Sequence, residues 1–293
     1  MRTVTSDNIT DTFINYFGAD TAPRTKELMA SLATHLHQFV RETQLTHEEW
    51  RQALELLKWT GEMTSDERNE FVLLSDVLGV SSLVDMLHSD PKATSSSVLG
   101  PFHVLNSPDR DYGADLKQTF KGEIILVEGV VKDTQGNLLA GAKVDIWQTA
   151  PNGMYSSQDP DQAIESFHGI FTTDEEGRYA FTTVRPVSYT VPSDGPVGVL
   201  LDATGRHPWR PSHLHYMVSA PGYRTLVTEV FPDDDPYLDQ DTVFGVREDL
   251  VVPYHAKEAG SFPKTGFELS GKVNEAYSKI HFDAILINDG CNA

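Results

Sequence analysis

GEIILVEGVVKDTQGNLLAGAKVDIWQ, residues 122–148, is where the chain changes its period. Glu123 to Lys132 and Lys143 to Gln148 are rich in β-branched residues with a period of two, and Gln135-Gly136-Asn137 between them is a turn former. The stretch reads as strands joined by a turn. Segments of the same character follow at Arg178 to Thr183, Ser212 to Ser219 and Arg224 to Phe231, with turns at Pro151-Asn152-Gly153, Glu176-Gly177 and Asp194-Gly195. Many short strands with no long helix between them predict an antiparallel β-sandwich.

Upstream the period lengthens to that of a helix. Between Arg24 and Thr43, Leu28, Leu32, Leu36 and Val40 recur at spacing four and predict one buried stripe. Thr46 with Glu49 makes a capping box for a second helix, whose Trp50, Ala53, Leu54 and Leu57 repeat the pattern. Thr64 and Glu67 predict the start of a third, running through Phe71, Leu74 and Leu78 until Asp90 and Pro91 break it. A Ser-rich joint, Thr94 to Ser97, follows. The fold class expected is α+β, a helical domain over residues 1–100 followed by an antiparallel β-sandwich domain over 101–293.

The 293 residues are 39% hydrophobic and 23% charged, with 21 Gly and 16 Pro, which excludes a disordered, collagenous or coiled-coil chain. A formal charge of −20 repels phosphate backbones and anionic headgroups, so no nucleic acid and no membrane surface is expected as a partner. A small molecule is the better expectation. The one cysteine, Cys291, excludes an intrachain disulfide and a cysteine-based zinc site, and fits a reducing compartment. The opening MRTVTSDNITDTF has no apolar signal-peptide core, and the longest nearly apolar run, Phe71 to Val84, contains Asp76 and is too short to span a bilayer. The location expected is cytoplasmic.

The chain shows no Walker A loop, no G-x-G-x-x-G after a strand, no G-x-S-x-G and no H-E-x-x-H. Two H-x-H pairs stand out among eleven histidines. His35 and His37 fall on a predicted helix, where two residues turn about 200°, so their side chains leave opposite sides and cannot grip one metal. His213 and His215, in PSHLHYMV, fall on a predicted strand, where positions i and i+2 share a face. That geometry suits two cis metal ligands and suits two packed histidines equally well. Arg210-Pro211 sets a cation just ahead of the pair, which by itself reads as a surface ion pair. Asp233-Asp234-Asp235, followed by Asp239 and Asp241, lacks the spacing and central Gly of an EF-hand loop and reads as a solvated turn. The ten tyrosines read from composition as packing residues.

Three stretches carry a resemblance: GVVKDTQGNLLAGAKVDIWQTAPNGMY, FTTDEEGRYAFTTVRPVSYTVPSDGPVG and HPWRPSHLHYMVSAPGYRTLVTEVF. In order and spacing they resemble the intradiol ring-cleaving dioxygenases over residues 100–260, and the helical third resembles the dimerisation region of the catechol-type branch. The R-P-x-H-x-H signature together with both tyrosine segments is specific. Within the family, LLSDVLGVSSLVD and SSSVLGPFH look most like hydroxyquinol 1,2-dioxygenases, since catechol-type members commonly carry an acidic residue where Leu99 stands.

The resemblance implies one non-haem Fe(III) per chain, held by Tyr155, Tyr189, His213 and His215. Fe(III) is a hard Lewis acid that favours anionic oxygen, so two phenolates and one hydroxide would neutralise three charges and two neutral imidazoles complete the shell. A catechol-like substrate would chelate the ion and be opened by O2 between its hydroxyl-bearing carbons. By the same resemblance Tyr189 is the base that accepts a substrate proton, and Arg210 stabilises developing charge. Glu229 stands where the family leads one to expect glutamine, and a carboxylate there would offset part of the Arg210 charge. The implied pocket is Leu73, Asp76, Val98, Leu99, Gly100, Pro101, Phe102 and Val243. Asp76 in reach of a third ring hydroxyl would favour hydroxyquinol over catechol, and its plain alternative is to face water.

The family pattern further implies a homodimer through the N-terminal helices, with phospholipid tails in an apolar channel at the interface. The activity expected is cleavage of hydroxyquinol to 3-hydroxy-cis,cis-muconate and thence maleylacetate. Catechol or chlorocatechol is the runner-up substrate, and a non-catalytic transthyretin-like sandwich binding a small aromatic ligand is the rival of another class.

Overall fold

The computed structural model describes residues 3–65, 68–105 and 107–290. Glu67 and Cys291 lie outside the described residues, so the Thr64–Glu67 cap and the lone thiol have no structural account. The chain divides into two compact units, Met1–Lys58 and Trp59–Ala293.

In the first unit α1 (Ile9–Asn15) and α2 (Pro23–Thr43) precede α3 (His47–Met63), whose last turns belong to the second. Pro23 suits the first turn of α2 because its missing N–H would have no helical partner there, and Gln44 ends the helix in the left-handed region at φ 52°. The capping box forms as predicted: Thr46 N–H donates to Glu49 Oε2 at 2.8 Å, and Glu49 N–H to Thr46 Oγ1 at 3.3 Å. The burial of the stripe is corrected. Leu28, Leu32, Leu36 and Val40 are 45–54% exposed, Trp50, Leu54 and Leu57 are equally open, and Ala33 alone in α2 is buried. Spacing four identifies an apolar face, and among the described residues nothing covers this one.

In the second unit the predicted third helix is two helices. Asn69 Oδ1 accepts from Val72 N–H at 3.1 Å to start α4 (Glu70–Val77), and α5 (Val80–Leu87) begins anew after Gly79, whose φ of 72° interrupts the helix. A helix without a sequence-based expectation, α6 (Pro196–Ala203), joins α4 in a cluster of Leu73, Leu74, Val77, Val197 and Leu201.

The strands among the described residues are β1 (Asp109–Arg110), β2 (Ile124–Asp133), β3 (Lys143–Trp147), β4 (His168–Thr172), β5 (Arg178–Val184), β6 (Tyr189–Thr190), β7 (Trp209–Arg210), β8 (Leu214–Ser219), β9 (Leu226–Pro232), β10 (Val251–Val252), β11 (His255–Lys257), β12 (Tyr277–His281) and β13 (Ala284–Leu286). One sheet has the order β1-β4-β3-β8-β9-β10, a second runs β11-β12-β2-β13 with β5 also on β2, and β6 pairs with β7. One buried cluster draws Val127, Phe181 and Ile280 from the second sheet and Val144, Ile146, Leu214 and Val230 from the first.

All five predicted strands are present, although β8 starts at Leu214 and leaves His213 just ahead of it. Antiparallel pairing throughout is corrected: β1 with β4, β10 with β9, and both β12 and β13 with β2 are parallel. β12 and β13 lie end to end along one edge of β2. The junction needs Gly129, because a Cβ there would stand 1.8 Å from the Phe282 carbonyl, which accepts the Tyr179 hydroxyl at 2.6 Å.

Candidate metal centre

A row of register partners crosses four strands of the first sheet. His168 on β4 faces Trp147 on β3, Trp147 faces His215 on β8, and His215 faces Glu229 on β9. Directly opposed residues share a face of the sheet, so the register itself sets Trp147 and Glu229 on either side of His215. The Trp147 indole lies flat on the imidazole, with centroids 4.7 Å and planes 5° apart. His213 is fixed by a contact of 2.8 Å between Nδ1 and the Pro211 carbonyl. Assigned as an N–H donor there, Nδ1 leaves the Nε2 lone pair free to face the site. Pairing of β6 with β7 sets Tyr189 opposite Arg210. Tyr155 follows the Pro151–Gly153 turn and stacks on Phe102 with centroids 4.9 Å apart.

These elements bring four donor atoms together. Tyr155 Oη lies 3.2 Å from Tyr189 Oη, 3.3 Å from His213 Nε2 and 3.0 Å from His215 Nε2, and the two Nε2 atoms are 3.1 Å apart. Cis ligands about 2 Å from a shared ion are roughly 3 Å from one another, so Tyr155, His213 and His215 have the mutual spacing that one metal ion requires, with Tyr189 Oη next to Tyr155. All four residues are buried. Burial pushes the Tyr155 phenol well above its ordinary value, with Tyr189 adding to the effect, and raises Tyr189 against the opposing Arg210 charge. Burial, then Arg210, lowers His213, while burial and His213 hold His215 well below the usual imidazole range. Neutral imidazoles are ready ligands, whereas two phenols in so dry a place need a cation before they ionise.

Arg210 is no surface residue. Glu229 takes it in a two-pronged contact, Nη1 to Oε1 at 2.7 Å and Nη2 to Oε2 at 3.0 Å, and Asp241 accepts from Nε at 3.0 Å and Nη2 at 3.1 Å. Burial opposes ionisation of Glu229, yet Arg210 and then His213 outweigh it and hold its carboxyl below the ordinary range. Glu229, His213 and His215 also form a group whose ligand atoms lie within 4.8 Å of one another, but both Glu229 oxygens are engaged by Arg210. The reading of the acidic run as a solvated turn is corrected for Asp241, which is buried on Arg210, and for Asp235, whose Oδ2 accepts from Ser188 Oγ and Ser212 N–H; Asp233, Asp234 and Asp239 are exposed.

Of the expected pocket residues, Leu73, Val98 and Val243 share one buried cluster, and Phe102 joins Tyr155 and Tyr189 in another. Gly100, at φ 72°, abuts the His215 ring: a Cβ would sit 3.4 Å from Cε1. Asp76 is buried rather than facing water, and burial raises its carboxyl to about 6 against a hydrogen bond from Ser81 and the Arg210 charge. Leu99 is exposed and Pro101 half-buried. A cleft of about 550 Å³ opens beside Tyr189 and Phe102, walled by Val191, Trp209, Arg68 and Asp194. His35 is exposed on α2, and His37 lies 3.0 Å from Thr10 Oγ1, far in sequence from His213 and His215 at the start of β8. Sequence reasoning missed Asp241, Ser97, Gly245 and Trp147. Only Trp147 left a signal, its place in the β3 pattern; the others act through contacts formed when loops meet.

Residues 22–96 match the family model described as catechol dioxygenase N terminus, and residues 99–286 match that described as dioxygenase. The chain is 45% identical over 264 residues to a 6-chlorohydroxyquinol 1,2-dioxygenase of Cupriavidus pinatubonensis, covering 89% of this chain and 96% of that protein. It is 47% identical over 239 residues to a hydroxyquinol 1,2-dioxygenase of a Rhizobium species, covering 80% and 81%. The solved structure of a hydroxyquinol 1,2-dioxygenase from Pseudomonas putida superposes with a TM-score of 0.85 at 43% identity, over 97% of this chain and 99% of that one. With both halves of the family pattern matched in order and relatives this similar along most of their length, the chain belongs to the intradiol ring-cleaving dioxygenases.

Proposed function

We propose that this enzyme holds one ferric ion through Tyr155, Tyr189, His213 and His215 and uses O2 to open hydroxyquinol between its two adjacent hydroxyl-bearing carbons. The product is 3-hydroxy-cis,cis-muconate, which tautomerises to maleylacetate. The observation that carries this reading is the convergence of two phenols and two neutral imidazoles at 3.0–3.3 Å in a buried site. When bound, the ion supplies Lewis acidity that draws electron density from a chelated ring.

The side chains do the rest. Pro211 and Trp147 fix the two imidazoles, so their lone pairs are aimed before any ligand arrives. Tyr189 lies on the short β6 strand at the cleft, and as a phenolate it would accept a proton from a substrate hydroxyl. Arg210 is held rigid by two carboxylates and keeps its Nη1 beside His213, 3.3 Å from Nε2, as a fixed positive charge at the site. Asp76 accepts the hydrogen bond of the third ring hydroxyl. Catechol lacks that group and leaves the carboxylate one partner short, which favours hydroxyquinol as the names of the similar proteins do. Leu73, Val98, Leu99, Gly100, Pro101, Phe102 and Val243 line the ring's pocket and exclude water.

The wider organisation belongs to the same proposal. The two sheets pack face to face as the catalytic sandwich of residues 101–293, and the helices of residues 1–100 pair with a second copy, where the exposed stripe of α2 and α3 also accommodates phospholipid tails. Among the described residues no helix is long and apolar enough to cross a membrane, and the proposed location is cytoplasmic. Oxygen uptake by the iron-loaded enzyme with hydroxyquinol, catechol and 4-chlorocatechol tests the reading. Hydroxyquinol is expected to be consumed with the highest kcat/KM, giving the intradiol product spectrum. Preference for either catechol, or an extradiol product, contradicts it.

A further inference from the structure

We infer that Glu229, through its clamp on Arg210, supplies the third negative charge that a ferric ion needs in this site, so that the ion's remaining position takes a neutral ligand in preference to an anion. The inference rests on the four-residue ferric site proposed above and deepens it. Glu229 and Asp241 each accept hydrogen bonds from Arg210 and from at least one further donor. Glu229 Oε1 accepts from Arg210 Nη1, and Oε2 from Arg210 Nη2 and from Ser97 Oγ at 2.6 Å. Asp241 Oδ1 accepts from Arg210 Nε and Val243 N–H, and Oδ2 from Arg210 Nη2 and from Gly245 N–H at 2.8 Å. Carboxyl groups held by a guanidinium and a further donor are ionised. One guanidinium against two carboxylates leaves a buried net charge of −1.

This charge lies against both imidazole rings. Glu229 Oε1 lies 3.3 Å from His213 Nε2 and 3.5 Å from His215 Nδ1, and among the described residues it is the only carboxylate that clusters with both imidazoles. The fold keeps space for the clamp: a Cβ on Gly245 would stand 2.6 Å from Glu229 Oε2 and 2.8 Å from Arg210 Nη2. Two phenolates and the clamp together balance three positive charges in a volume where little water screens them. Glutamine at position 229 would leave the sum one short, and an added anion would then be drawn in.

Azide titration of the iron-loaded protein, followed by its phenolate-to-iron absorption, tests this. Glu229→Gln is expected to bind azide at least about tenfold more tightly than the native protein, as removal of one neighbouring charge at low screening implies. Asp241→Asn removes the same charge and is expected to shift affinity the same way, while Glu128→Gln, whose partner is Lys279, is expected to match the native protein. Unchanged azide affinity in a coloured Glu229→Gln protein overturns the inference. Should neither site variant take up iron, the native protein decides: two protons released per ferric ion loaded, corrected for the chelator, supports the inference, and three overturns it. A native protein that stays colourless after iron loading defeats the ferric-site reading instead.

Discussion

Asp76 is the residue whose environment translates most directly into substrate choice. Burial raises its carboxyl from 3.8 to about 6, so the fold disfavours the charged form. Stability from this group is therefore complete below about 4 and lost as pH rises through about 6, while its capacity to accept a hydrogen bond follows the opposite course. The ratio of kcat/KM for hydroxyquinol over catechol is expected to fall as pH is lowered through about 6. In Asp76→Asn it should be at least about tenfold smaller at pH 8 and flat across that range, the scale of one buried hydrogen bond. Steady-state kinetics on both substrates between pH 5 and 8 checks this, and a ratio unchanged by the substitution removes Asp76 from specificity. The four donor residues were legible through the R-P-x-H-x-H signature and the tyrosine segments. Asp241 was not, because its hydrogen bonds to Arg210 join positions 31 residues apart and an acidic run looks the same whether or not one member turns inward.

At the scale of elements, local chemistry and long-range pairing differ in how far sequence reveals them. The Thr46–Glu49 capping box could be read because both partners lie in one turn. The parallel pairing of β12 and β13 with β2 could not, since their strands are short and their partner lies about 150 residues away. The break at Gly79 was masked by an apolar pattern that continues on both sides of it. Two substitutions separate these layers in urea unfolding. Thr46→Ala is expected to cost about 1 kcal/mol through the lost cap. Gly129→Ala, which drives a methyl into the Phe282 carbonyl, is expected to cost about 3 kcal/mol or more. A loss below about 1 kcal/mol for Gly129→Ala would contradict the close approach of β2 to the β12–β13 junction.

For the whole molecule, the apolar stripe of α2 and α3 matters most, because it was predicted to be buried and is open in one chain. A second copy is the cover proposed here, in keeping with the symmetric pairing that apolar faces favour. Sedimentation velocity is expected to give a dimer for the native protein and a monomer for the Leu32→Asp, Leu36→Asp double variant, with iron content unchanged. A monomeric native protein contradicts that assembly. The helix-then-strand order was legible in one sequence because turn residues and strand period are local properties, and the four converging side chains were legible only through the family signature. The direction of strand pairing and the cover of an apolar face depend on segments far apart or on another molecule.

The proposed chemistry stands on the ferric site. Iron analysis and visible absorption of native, His213→Ala, His215→Ala and His35→Ala proteins after identical iron loading test it most directly. About one iron per chain and a phenolate-to-iron band are expected in the native and His35→Ala proteins, and loss of both in the other two. A colourless native protein that holds zinc in place of iron, or equal metal loss from all three variants, would contradict it.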